Sequence, residues 1–245
     1  MKRIVLVLTL ALAAAALSGF ATSAQAGDPG TAHLPDLVTQ TPSDVRIQRD
    51  KATGTKVLRF SNTVGNLGIG RFELRPVHNA ITDTTAAYQR IYTHDAAGNW
   101  SLQSEFPVGT FQFHETHNHW HFDDFALYEL WNVAADGSIG DTVLRSSGKV
   151  TFCIIDTAAI NLSLEHASPT RGYVSCNQGD IQGLSDGWGD TYTWNLPGQS
   201  IDIAGLPSGD YWLVSTADPD GLTSETNDAN NSGAVKITIR GNRLK

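Results

Sequence analysis

The sequence predicts an all-β fold, namely a single β-sandwich-like domain with long loops. Short runs rich in β-branched and aromatic residues recur along the chain, and clusters of Gly, Asn, Asp and Pro separate them. Helix signals are scarce after residue 26, and we find neither an internal repeat nor a low-complexity tract. The length of segment 27–245 is compatible with one domain, so we expect one hydrophobic core.

The N-terminus has the pattern of a secretory signal peptide. Lys2 and Arg3 precede an apolar run over residues 4–17, and Ala24-Gln25-Ala26 is a small-x-small cleavage pattern. The apolar run is too short for a membrane-spanning helix, and no later stretch reaches 18 apolar residues. We therefore expect residues 1–26 to be removed and residues 27–245 to be secreted, extracellular and not bound to a membrane.

Nine segments after the signal peptide have the strand pattern. They are residues 56–62, 71–74, 110–113, 117–133, 149–155, 191–196, 200–203, 211–216 and 234–239. Turn-forming pairs such as Asp136-Gly137 and Pro197-Gly198 lie between them. Segment 158–188 has little strand pattern and many Gly, Ser and Asp residues, which predicts a long surface loop of the kind that often carries function.

The charge of the chain is acidic, with 25 Asp and Glu against 17 Lys and Arg and a formal net charge of −8. Loss of Lys2 and Arg3 with the signal peptide makes the remainder more negative. Such a surface argues against nucleic acid as a partner and favours cationic ligands, including amines and lysine-rich proteins. Solubility alone is another reason for an exported protein to be acidic.

Two cysteines, Cys153 and Cys176, follow the signal peptide. In an oxidising compartment such a pair is expected to form a disulfide. Closing a loop of roughly 24 residues would stabilise the fold by about 3 kcal/mol on the chain-entropy estimate.

Four of the eight histidines fall within segment 113–125. Because side chains alternate between the faces of a strand, His117, His119 and His121 are predicted to share one face. Three neutral imidazoles with an open position suit Cu(II) or Zn(II) and indicate a catalytic site. His114 would face the other side of a continuous strand, so its contact with the metal stays open.

Acidic residues flank these histidines. Glu115, Asp123 and Asp124 are candidates for orienting the imidazole rings by hydrogen bonds. The alternative is a histidine-rich surface strand that traps metal without function.

Three segments resemble, in the same order, the functional segments of lysyl oxidases. Residues 114–128 resemble their copper-binding segment, GKVTFC at 148–153 resembles the segment of the cofactor lysine, and QGLS at 182–185 followed by GDTY at 189–192 resembles the segment of the cofactor tyrosine. Weaker similarity at residues 35–38, 58–60 and 225–231 extends the resemblance over nearly the whole of segment 27–245. That segment is therefore identified as a lysyl oxidase-like catalytic domain.

The resemblance implies a copper-dependent amine oxidase. It makes His117, His119 and His121 the copper ligands, and it makes Lys149 and Tyr192 the precursors of lysine tyrosylquinone. Such an enzyme converts peptidyl-lysine or other primary amines to aldehydes with molecular oxygen and releases ammonia and hydrogen peroxide. Lysine-containing proteins or small primary amines are then the expected substrates.

The chain departs from the animal members in three ways. It lacks most of their extra cysteines. Leu127 occupies the place of another histidine just before the tyrosine, and the spacing from His121 to Phe125 is one residue shorter.

The expected chemistry requires a neutral amine on Lys149 and a catalytic base. Lys149 can add to an oxidised tyrosine ring only when its amine is neutral, so we expect partial burial near the cation to lower its pKa. Asp190 is two residues from Tyr192 and would share its face of a strand, which makes it the candidate catalytic base. A carboxylate that only caps a turn is the alternative.

A calcium site is also implied by the resemblance. The matching residues are Asp36, Glu225, Asn227, Asn230 and Asn231, and such oxygen-rich side chains suit Ca²⁺. A hydrogen-bonded β-turn would explain the same residues.

Two rival functions follow from the histidines alone. A three-histidine zinc hydrolase would use metal-bound water as its nucleophile and would not need Lys149 or Tyr192. A secreted, non-catalytic metal-binding β-sandwich would bind copper without oxidising any amine.

Overall fold

Antiparallel strands form two sheets in the computed structural model, which describes residues 30–115 and 117–245. The predicted signal peptide, residues 1–26, lies outside the described residues. The six-stranded sheet is arranged around β3, which pairs with four other strands. Its members are β1 (Leu37–Thr39), β2 (Ser43–Arg49), β3 (Lys56–Asn66), β9 (Ala158–Ala159), β11 (Trp188–Tyr192) and β12 (Ser200–Asp202).

The nine-stranded sheet follows the order β10-β4-β5-β6-β7-β13-β14-β15, with β8 also paired to β7. Its members are β4 (Phe72–Asn79), β5 (Thr84–His94), β6 (Trp100–His114), β7 (His119–Val133), β8 (Ile139–Phe152), β10 (Gln182–Leu184), β13 (Gly209–Ala217), β14 (Ser232–Arg240) and β15 (Arg243–Leu244). A short 3₁₀ helix, Asp228–Asn230, lies in the connection between β13 and β14.

One hydrophobic core joins the two sheets. Phe60 of β3 meets Tyr128 of β7 edge to face at 4.8 Å, and both side chains are fully buried. Phe125 and Phe152 extend this contact along β7 and β8. The predicted all-β, sandwich-like fold is confirmed, and among the described residues no α-helix occurs. No helix in that part of the chain is long and apolar enough to span a membrane.

Most predicted strands overlap strands of the structure, but β1, β2, β5 and the N-terminal parts of β6 and β8 were not predicted. Strand β5 was not predicted, and its Gln89 is fully buried, with its amide bonded to the backbone of Ser224. A polar residue at a core position hides the period-two pattern on which strand prediction depends. The long loop predicted over residues 158–188 is confirmed in its main part, because it contains only β9, β10 and the start of β11.

The hairpin between β6 and β7 corrects one predicted boundary. The strand predicted over 117–133 begins at His119, because His117 and Asn118 lie in the turn. Both of their backbone N–H groups donate to the carbonyl of His114, and Asn118 has φ of 56°. Asn tolerates this left-handed conformation better than most residues, which favours the turn at this position.

Candidate metal centre and neighbouring cavity

The β6–β7 hairpin brings four histidines to one end of the nine-stranded sheet. His114 closes β6 directly opposite His119, which opens β7. His121 follows on β7, and the turn folds His117 back over the strands. His117, His119 and His121 therefore lie close together as predicted, but His117 is in the turn and only His119 and His121 are on the strand.

The ring nitrogens of this cluster converge on His121. Its Nε2 lies 2.9 Å from Nε2 of His119 and 3.4 Å from Nδ1 of His117. Nitrogens that share one ion at about 2.0–2.1 Å are separated by about 3 Å, so these distances suit a common metal. Ligand atoms of His114, His117 and His121 also lie within 4.8 Å of one another. The geometry therefore offers His114 as well as His119 to complete a set built on His117 and His121.

Burial keeps these imidazoles neutral. His121 is only 3% exposed, and desolvation lowers its pKa to about 3. Desolvation also lowers the pKa of His117 and of His119, and nearby imidazoles add to the effect. Neutral imidazoles are the form that binds a metal ion.

The ring of His121 is oriented by a hydroxyl, contrary to the expected role of the nearby acids. Its Nδ1 lies 3.0 Å from Oγ1 of Thr151 on β8, which leaves Nε2 pointing to the other histidines. Asp123 instead accepts a hydrogen bond from Thr110, and Asp124 faces Lys149. Glu115 is exposed on the turn.

Tyr192 lies beside the histidine cluster. It lines a cavity of about 360 Å³ together with His117 and His119. Its ring stacks on Phe152 with centroids 3.9 Å apart, and its hydroxyl accepts a 2.7 Å hydrogen bond from the Cys153 amide. Burial raises the pKa of Tyr192, so the phenol is protonated at neutral pH.

The disulfide and a buried glutamine fix the surroundings of this cavity. Cys153 is bonded to Cys176, as predicted, and the Cys176 carbonyl accepts from the amide of Trp120 on β7. Gln182 accepts from the Ile154 amide and donates to the Trp120 carbonyl. The segments that contain Cys176 and Gln182 are therefore joined both to β7 and to the segment that follows β8.

Asp190 lies in the same cavity, as its spacing from Tyr192 predicts. It is 1% exposed, Oδ1 accepts from Thr157, and Oδ2 has no hydrogen-bond partner. Burial raises its pKa to about 8. A turn-capping role does not account for the unpartnered oxygen.

Lys149 occupies a different environment, and the expected lowering of its pKa is wrong for this conformation. Its ammonium forms a short ion pair with Asp220 and a second one, at 3.7 Å, with Asp124. The hydrogen bond to Asp220 raises the pKa of Lys149. Lys149 is not among the residues that line the cavity of Tyr192.

The five residues matched to calcium binding lie together. Asp36 accepts from Asn230, Glu225 accepts from Asn231, and Asn227 caps the 3₁₀ helix. The amide oxygens of Asn230 and Asn231 are buried without a partner, and burial raises the pKa of Glu225 to about 7. Unpaired buried oxygens beside carboxylates fit a hard cation.

Three residues that contact the site residues at this end of the molecule were not predicted from the sequence. Thr151 orients His121, Thr157 holds Asp190, and Asp220 pairs with Lys149. Thr151 lies within the GKVTFC segment and was within reach of pattern analysis. Nothing in the sequence connects Asp220 to Lys149, which lies 71 residues away.

A second recess opens on the outer side of the cluster. Its volume is about 710 Å³, and His119, Trp120 and Phe113 line one side of it. Threonines 84, 85 and 110 and amide side chains line much of the rest. His119 borders both this recess and the cavity of Tyr192, so the cluster lies between the two.

Comparison with known proteins identifies relatives over much of the chain. A family model described as lysyl oxidase matches residues 89–245. Lysyl oxidase homolog 2 of Homo sapiens is 26% identical over 170 residues, which cover 67% of this chain and 20% of that protein. Protein-lysine 6-oxidase of Sus scrofa is 29% identical over 135 residues, which cover 55% of this chain and 48% of that protein.

A protein-lysine 6-oxidase of Gallus gallus has the same 29% identity over 135 residues, and the match covers 29% of it. The chain thus spans between about a fifth and about a half of the length of the curated relatives it matches.

Proposed function

This chain belongs to the lysyl oxidase family, and from that premise we propose that it is a secreted copper amine oxidase that uses lysine tyrosylquinone made from Lys149 and Tyr192. The observation that supports this most is the position of Tyr192, whose ring shares a cavity with two histidines of a cluster suited to a metal ion. A zinc hydrolase or a passive metal-binding domain has no need of a partly buried tyrosine there.

The proposed reaction converts a primary amine, dioxygen and water to an aldehyde, ammonia and hydrogen peroxide. No protein side chain accepts two electrons from an amine, so the quinone supplies that chemistry when it has formed. Copper would be held by His117, His119 and His121, with His114 as the competing ligand that the geometry also offers. Thr151 would keep His121 aimed at the ion.

Asp190 is the proposed catalytic base. Asp190 lines the cavity beside Tyr192 and its Oδ2 has no hydrogen-bond partner, so it would be the group that takes a proton from the carbon next to the substrate nitrogen. Burial raises its pKa to about 8, so the carboxyl would act as the base in its ionised fraction, which grows as the pH rises towards 8.

The cavity lined by Tyr192 and Asp190 is the proposed binding site of the amine, because the quinone and the base would meet the substrate there. Peptidyl-lysine and free primary amines are both proposed substrates. Dioxygen is the co-substrate, and secretion follows from the signal pattern at residues 1–26.

Calcium is proposed as a second, structural ion. Asp36, Glu225, Asn227, Asn230 and Asn231 would supply carboxylate and amide oxygens. Two of these amide oxygens lack partners inside the protein.

The test is peroxide release by the copper-loaded chain on a panel of lysine-containing proteins and small amines, with matched Tyr192→Phe and Lys149→Arg variants. We expect oxidation by the wild type only, because either substitution removes a precursor of the cofactor. Both variants should keep bound copper and should lose redox-cycling quinone staining. Amine oxidation that persists in either variant would refute the cofactor assignment, and hydrolysis that requires zinc would favour the rival enzyme.

A further inference from the structure

The ion pair of Lys149 with Asp220 lies apart from the cavity where the proposed function needs the lysine. Thr151 on β8 faces His121, whereas Phe152 stacks on Tyr192. Because side chains alternate along a strand, Lys149 belongs to the face of Thr151 and not to that of Phe152. Lys149 is also four residues from Cys153, the anchor of the Tyr192 hydroxyl, or about 13 Å along an extended chain.

The partner of Lys149 is held in place by its own loop. Asp218 accepts hydrogen bonds from the amides of Leu222 and Thr223, so the turn that carries Asp220 is closed without help from Lys149. The Asp218 amide also donates to the Phe125 carbonyl on β7, next to Asp124. The backbone near both acids is therefore held by hydrogen bonds that do not involve Lys149.

We propose that Asp220, with help from Asp124, is a positioning residue that retains Lys149 as an ammonium outside the Tyr192 cavity until the lysine is delivered for cofactor formation. This inference rests on the proposed function. The three side chains are 36%, 38% and 54% exposed for Lys149, Asp220 and Asp124. Exposed ion pairs are weak, so the lysine can be released without loss of the fold.

The irregular backbone of β7 and β8 near Lys149 would allow this residue to move towards Tyr192. The β7–β8 register shifts between Phe122 and Ala126 and again between Leu127 and Glu129. Asp124 and Gly148, which lie in these shifts, have φ of 52° and 71°. The segment that carries Lys149 is thus bounded by bulges rather than by a regular ladder.

The first experiment measures the lysine itself in copper-free protein. Competitive acetylation over a pH series, read by peptide mass spectrometry, gives the reactivity of Lys149 relative to Lys236. In Asp220→Asn we expect Lys149 to react roughly twofold to fivefold faster at neutral pH, the factor that corresponds to an exposed ion pair, with its labelling midpoint moved to lower pH. Asp220→Glu should restore the wild-type profile.

Asp210→Asn is the matched control, because Asp210 is an exposed acid paired at 3.8 Å with Arg240. It should leave Lys149 labelling unchanged. A purely structural role for Asp220 would not shift the labelling midpoint of one lysine. Identical profiles for wild type and Asp220→Asn would overturn the proposal.

The second experiment adds copper and dioxygen and follows the cross-linked Lys149–Tyr192 peptide over time. We expect the cross-link to appear roughly twofold to fivefold sooner in Asp220→Asn than in wild type, since release of the lysine no longer competes with the ion pair. An equal or slower rate in that variant would refute the positioning role. Absence of the cross-link from copper-loaded wild type would instead refute the proposed function, whatever the labelling experiment gives.

Discussion

Two parts of the proposed site, the histidine cluster beside Tyr192 and the segment of β8 that carries Lys149, differ in how their side chains are held. At the His121 end, His121 is buried and the side chains are oriented: Thr151 fixes the His121 ring, and Tyr192 is stacked and hydrogen-bonded beside the cluster. At the Lys149 end, about 7 Å further along β8, the side chain is partly exposed and paired with acids from other segments. The histidine rings already converge in this structure, whereas the proposed cofactor requires Lys149 to move towards Tyr192.

The contrast has a physical cause. Imidazoles and a phenol can be buried neutral, and their hydrogen bonds offset the cost of burial. A lysine is charged at neutral pH unless its pKa is lowered substantially, so a cavity that contains only neutral groups and a protonated carboxyl does not attract it. Asp124 and Asp220 are charged and partly exposed, and they attract the ammonium of Lys149.

The largest expected effect tests the claim that the histidine end is assembled in advance. His121→Ala should weaken copper binding by at least about 100-fold, because it removes the ring on which the others converge and costs more than loss of an orienting group such as Thr151. His114→Ala and His119→Ala, compared by metal titration, identify the third ligand, and the larger loss marks it.

His78→Ala, a partly exposed histidine on β4, is the control and should keep full affinity. Copper affinity in His121→Ala equal to that of the control would contradict a preassembled centre.

A smaller effect tests how strongly burial in the cavity disfavours the charged form of Asp190. Asp190 has a pKa of about 8 in the folded chain because it is buried, and about 3.9 when unfolded. Between these values the unfolded state loses a proton that the folded state keeps, so stability contributed by this group is lost as pH rises towards 8. Asp190→Asn avoids this loss.

Urea denaturation of the copper-free proteins at several pH values measures the difference. The stability of Asp190→Asn relative to wild type should grow with pH, by at most about 1.4 kcal/mol per pH unit. Asp202→Asn, an exposed acid on β12, is the control. A constant difference between Asp190→Asn and wild type from pH 5 to pH 8 would show that Asp190 is not held protonated.

The smallest effect concerns the connection from β13 to β14, which carries Asp220 and four of the five proposed calcium ligands. Calcium at 100 times its dissociation constant should stabilise the folded chain by about 2.7 kcal/mol. That corresponds to a rise in melting temperature of roughly 5–10 °C for a chain of this size. Glu225→Gln should lose most of this rise, while Asp228→Asn, an exposed acid in the same 3₁₀ helix, should keep it.

Scanning calorimetry with calcium and with a chelator makes the measurement. Equal calcium responses in Glu225→Gln and wild type would exclude Glu225 as a ligand. Faster Lys149 labelling after chelation would additionally connect the ion to the position of Asp220.

Local patterns were sufficient for several features of this protein. The all-β class, the clustering of histidines, the shared location of Asp190 and Tyr192, and the Cys153–Cys176 bond all follow from short spacings or from a pair without alternatives. Period-two alternation failed at His117, where the turn centred on Asn118 replaced the strand and still directed the ring to His121.

The sequence by itself determined which chemical groups the protein has and which neighbours along the chain act together, because side-chain chemistry and strand alternation are local properties. Only the tertiary structure decided that Thr151 contacts the His121 ring, that His114 lies close to His117 and His121, and that Asp220 pairs with Lys149. Those contacts depend on strand register, bulges and loop placement. These are set by the packing of the whole core, which no segment of the chain encodes alone.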